Sequence, residues 1–83
     1  MFYLAEFYLP ASATLADVVQ RARAGAAAAF AAGTAIRFVH AVFVPTEETC
    51  FALFEAPSAA ALSAAGSAAG LEFDHIAPAL MTM

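Results

Sequence analysis

The chain has no lysine, no tryptophan and one cysteine, and its whole basic complement is three arginines, Arg21, Arg23 and Arg37. So few cations leave no footprint for neutralising phosphates, which excludes nucleic acid as the partner. One cysteine cannot form an internal disulfide, and a lone thiol fits a reducing, cytoplasmic compartment. A membrane-crossing helix is missing too, because such a helix needs about 20 consecutive apolar residues. The best run lies between Arg23 and Arg37 and is too short, while the stretch from Ala56 to Leu71 is mostly Ala, Ser and Gly, which insert poorly. No basic segment precedes Ala11-Ser12-Ala13, and Glu6 interrupts the apolar start, so the N-terminus does not read as a secretory signal. Phosphate loops, nucleophile elbows, paired CxxC and HExxH helices are also absent.

What the chain has in excess is apolar side chains, 64% of its 83 residues, with a net charge of −4. That is more than one small soluble domain spanning residues 1–83 can hide inside itself. A second chain covering one apolar face resolves the excess, so a homodimer is expected.

Local patterning gives the order of elements. Met1 to Leu9 reads as a strand closed by Pro10, with Tyr3, Ala5, Phe7 and Leu9 on one face and Phe2, Leu4, Glu6 and Tyr8 on the other. Thr14 followed by Asp17 starts a helix whose apolar positions are Leu15, Val18, Val19, Ala22, Ala26, Ala29 and Phe30, and Gly33 stops it. Gly25 is placed for close approach to the sheet. Ala35–Val44 and Thr49–Glu55 form a hairpin around Pro45-Thr46-Glu47-Glu48. Ser58 caps a thin second helix containing Leu62, and Gly70 ends it. Residues Glu72 to Ile76 supply the last strand, with Pro78 bending or breaking it. The apolar tail from Ala79 to Met83 is expected to pack on its own sheet or the partner's. The result is an α+β, ferredoxin-like βαββαβ domain, an antiparallel sheet with two helices on one face. Dimerisation would use the other sheet face.

Few side chains are left to carry chemistry. His40, Cys50, Glu47, Glu48, Asp74 and His75 are the candidate metal donors, a set of imidazole, thiolate and carboxylate that suits nickel, copper or zinc. If the turn pairs Val44 with Cys50, His40 and Cys50 share a face; a slip of one residue separates them. The plainer alternative is a histidine at an interface and a cysteine serving as a small core hydrophobe. Tyr3 and Tyr8 with the phenylalanines offer a further possibility, the lining of an apolar pocket.

The run Arg37-Phe38-Val39-His40-Ala41-Val42-Phe43-Val44-Pro45, then Glu48-Thr49-Cys50-Phe51-Ala52-Leu53-Phe54-Glu55-Ala56-Pro57-Ser58, then Ala69-Gly70-Leu71, resembles a family of small bacterial ferredoxin-like proteins. That family includes a streptomycete nickel-binding protein, and the opening Glu6…Leu9-Pro10 matches it as well. The resemblance implies a ferredoxin-like dimer, surface nickel binding in some members, and a role in nickel sequestration or detoxification. It carries His40 and Cys50 over as shared positions. Where many relatives have a histidine in the second helix, this chain has Ser63-Ala64-Ala65. Three functions therefore compete: nickel or similar transition-metal binding, a cofactor-free dimeric α/β-barrel enzyme of monooxygenase or isomerase type, and a structural dimerisation module.

Overall fold

The computed structural model describes residues 1–82, and Met83 lies outside the described residues. Its elements are β1 (Phe2–Tyr8), α1 (Leu15–Ala31), β2 (Arg37–Val44), β3 (Thr49–Glu55), α2 (Ala59–Ala68) and β4 (His75–Ala79). The strands form one sheet in the order β2-β3-β1-β4, with every neighbouring pair antiparallel. This is the ferredoxin-like βαββαβ arrangement.

The helix starts follow from side-chain caps. Thr14 Oγ1 accepts from the Asp17 amide and Ser58 Oγ from the Ala61 amide, each satisfying an orphan donor of a first turn. Gly33 and Gly70 end the helices with φ of 96° and 79°, a region open to glycine at no steric cost.

The core lies between the helices and one sheet face. Tyr3, Ala5 and Phe7 of β1, with Cys50, Ala52 and Phe54 of β3, meet Val18, Ala22 and Ala26 of α1 and Leu62 of α2. Phe73 enters from the α2–β4 connection, its ring 5.4 Å from that of Phe7 and 5.8 Å from that of Phe54. Gly66 makes room for it, since a Cβ there would overlap the Phe73 ring.

Three local expectations are corrected. The last strand begins at His75, not Glu72, because Phe73 turns inward to the core, and the strand then runs through Pro78. An edge strand has one side without ladder bonds, so a proline is accommodated there. Phe30, in the last turn of α1, is 70% exposed, while Ile36 past the helix end is buried in the core. Gly25 serves close approach to α2, not to the sheet: a Cβ on it would stand 2.8 Å from the Ala69 Cβ. Of the tail, Ala79 pairs with Phe2 in the sheet and Leu80 is wholly exposed, while Met83 lies outside the described residues.

Candidate functional site

The sheet has an inner face, covered by the helices, and an outer face that none of the described residues cover. Pairing registers place Phe2, Leu4, Glu6 and Tyr8 of β1 on the outer face. Beside them lie Thr49, Phe51, Leu53 and Glu55 of β3, His40, Val42 and Val44 of β2, and His75, Ala77 and Ala79 of β4. Val42 is 59% exposed and Tyr8 63%, while Phe51 and Leu53 are half-buried by their neighbours. An Arg37–Glu55 ion pair at 3.1 Å closes one end of the face.

A bulge sets His40 and Phe38 on opposite faces. Phe38 faces inward, its ring 5.6 Å from that of Phe54, and strict alternation would send His40 inward as well. The pairing with β3 slips between Phe38 and His40, so the extra residue, Val39, turns His40 outward. His40 is exposed and stands opposite Leu53.

Cys50 goes the other way. The turn pairs Val44 with Thr49 and Phe43 with Cys50, one residue away from the register that would put His40 and Cys50 together. Cys50 is fully buried on the inner face, and burial pushes its thiol above the usual value of 9.0. A neutral, enclosed thiol is a poor ligand, since metals bind thiolate. His40 and Cys50 therefore cannot hold one ion.

Two of the carboxylates already have structural work. Glu48 adopts φ of 47° at the hairpin turn, and its Oε2 accepts from the Ala11 amide at 2.9 Å and from the Tyr8 hydroxyl at 3.4 Å. Asp74 Oδ2 accepts from the Tyr8 amide at 2.9 Å, while the Asp74 amide donates to the Glu6 carbonyl at 2.9 Å. These two bonds fasten the start of β4 to β1. Glu47 is exposed at the turn and only its carbonyl is engaged, by the Thr49 hydroxyl.

His75, the next residue after Asp74, is exposed and lies directly opposite Glu6. Glu6 was not among the donors picked out from the sequence. Strand alternation had already put it on the outer face, but the pairing of β4 that brings a histidine to it was not readable. His40 and His75 share this face on opposite edges of the sheet, three strand spacings or about 14 Å apart across it and two residues offset along it, since His40 lies in the row of Leu53, Leu4 and Ala77. Among the described residues, no group of three His, Cys, Asp or Glu side chains converges within one chain.

The space between helices and sheet retains a void of about 10 Å³ among residues such as Ala22, Phe54, Leu62 and Phe73, no more than one water's worth. Tyr3 is buried in the core and Tyr8 lies exposed on the opposite face, so the two do not line a common pocket. None of the helices is long and apolar enough to cross a membrane among the described residues.

A family profile described as "Nickel responsive protein SCO4226-like" matches residues 3–78. The chain belongs to this family. The fold comparison agrees: the crystal structure of SCO4226 from Streptomyces coelicolor A3(2) matches over 100% of both chains with a TM-score of 0.80, at 22% sequence identity. That likeness establishes the ferredoxin-like fold. No curated protein matches the chain. For this member of the SCO4226-like family, accessible imidazoles are confined to the outer sheet face.

Proposed function

We propose that the protein binds nickel, or a similar divalent transition metal, as a cytoplasmic homodimer joined through the outer sheet face, and that it serves metal sequestration or detoxification. The observation that carries this reading is that both histidines stand exposed on the one apolar face left uncovered. Imidazole nitrogen suits nickel, and a family described by its response to nickel makes that ion the first to test.

One chain alone supplies imidazoles too far apart to share an ion. A two-fold axis along the strands reverses the strand order, so β2 of one protomer crosses over β4 of the other. Packed sheets stand about 10 Å apart, a gap that imidazoles projecting from both sides can bridge. Dimerisation thus offers the missing donors, with His40 from one protomer approaching the partner's β4. Cys50 takes no part, and Glu48 and Asp74 serve the fold first.

Calorimetric titration of nickel into the parent, His40→Ala and His75→Ala tests the reading. Each substitution should weaken binding at least tenfold, and binding should weaken in acid because imidazole ligates in its deprotonated form. Unchanged affinity in the His40 variant removes that residue from the site. Absence of saturable binding in the parent returns the chain to the structural and enzymatic readings.

A further inference from the structure

The two edges of the sheet are built differently. β4 is five residues long and carries Pro78, which lacks a backbone donor, so it is a poor template for a further strand. β2, the other edge, is eight residues long and has no proline. Its side away from β3 carries backbone N–H and C=O groups with no ladder partner. Sheet-to-sheet packing leaves those groups open, because it covers side chains and not the ladder.

A shelf of α1 overhangs this edge. Phe38, Ala41 and Phe43 form the inner row of β2 and pack partly buried against the core. Beside that row run Leu15, Val19 and Arg23, four residues apart on one stripe of α1. Arg23 fixes the alignment, since its guanidinium carbon stands 5.9 Å from the centre of the Phe38 ring. β1 and β2 both run antiparallel to β3, so α1, which links them, runs opposite to β2 and puts Leu15 toward its Val44 end. Eight helical residues rise about 12 Å, the length of about four strand residues. That matches Ala41–Val44, the regular stretch of ladder beyond the bulge. The chain does not bury the shelf itself, because Leu15 is exposed and Val19 half-buried.

The shelf ends in a cation. Arg21 pairs with Asp17 and Arg37 with Glu55, which leaves Arg23 as the arginine with no carboxylate partner among the described residues. A strand added antiparallel to β2, the commoner mode of pairing, has its carboxyl end at the bulge, where regular pairing stops and Arg23 stands. We propose that the β2 edge and α1 form a docking groove for an extended C-terminal peptide of another protein. The peptide pairs antiparallel with Ala41–Val44, lays alternate apolar side chains on Leu15 and Val19, and sets its terminal carboxylate against Arg23.

The probe is acetyl-Lys-Val-Thr-Val-Thr-Val with a free carboxyl terminus, titrated into the isotope-labelled full chain and followed by amide NMR. Nickel is left out, so the result does not depend on the metal reading. Saturable shifts should map to the amides of Ala41–Val44 and to Leu15, Val19 and Arg23. Amidating the peptide's carboxyl terminus should weaken binding at least threefold. Arg23→Gln should weaken it as much and make the protein indifferent to amidation, a coupling that a general loss of fold would not produce. N-methylating one alternate set of peptide amides should abolish binding, and methylating the other set should not. Absence of saturable shifts at millimolar peptide, shifts centred on β4 or on the outer face, or equal affinity for acid and amide would overturn the proposal. So would β2 amide shifts that move with protein concentration in the absence of peptide, because a second copy would then be the occupant.

Discussion

Replacing Cys50 by alanine separates a core residue from a metal ligand. The thiol is fully buried on the inner sheet face between Phe7 and Phe43 in the ladder, and nothing on the outer face reaches it. Removing the sulfur forfeits the burial of about one methylene-sized group and leaves a small cavity, so the cost should be about 1.5 kcal/mol. For a domain of this length that corresponds to a fall in Tm of roughly 6–12 °C, measured without metal and at one protein concentration. Nickel affinity should stay within twofold of the parent. The raised thiol pKa adds a pH signature. Above the ordinary value of 9.0 the unfolded chain releases a proton that the folded chain retains, so the parent should lose stability as pH rises past that point. In Cys50→Ala that alkaline component disappears. A folded Cys50→Ala protein that has lost tenfold or more in nickel affinity, with little change in Tm, would refute the assignment of Cys50 to the core.

Other substitutions probe the packing and the outer face. Gly66→Ala gains about 1 kcal/mol in helix propensity but forces its methyl into the Phe73 ring, which Phe7 and Phe54 hold in place, so the net effect should be a loss of about 1–2 kcal/mol. Denaturant titration should show that loss and its relief in the Gly66→Ala, Phe73→Leu double variant; a stabilised Gly66→Ala protein would contradict the packing. Leu53→Asp places a charge in the middle of the outer face and should give monomers or aggregates by sedimentation, whereas a soluble, fully folded dimer would show that the protomers meet elsewhere.

Much of the fold could be read from spacing. The two-sided apolarity of β1, the Thr14 and Ser58 caps, the glycine stops and the hairpin between Val44 and Thr49 all carry local signals, and local signals survive into the structure. The site depends on quantities that are not local. A single bulge residue, Val39, puts Phe38 and His40 on opposite faces, and a one-residue register difference sends Cys50 to the face away from His40. Neither is written in the identity of His40 or Cys50. Phe73 shows the same limit, since its periodicity suits a strand but a hole above Gly66 draws it into the core and delays β4 to His75. Glu6 was visible as a polar residue in an apolar strand, yet its meaning came only with the β1–β4 pairing that sets His75 against it.

The proposed dimer, formed through the outer sheet face, binds nickel with His40 and His75. Native mass spectrometry of the parent and of a His40→Ala, His75→Ala double variant, each with and without nickel, reports chains and ions together. The expected result is a parent dimer that retains nickel and a folded double variant that does not. A parent seen only as metal-free monomer, or a double variant that retains the parent's full complement of nickel, would contradict it.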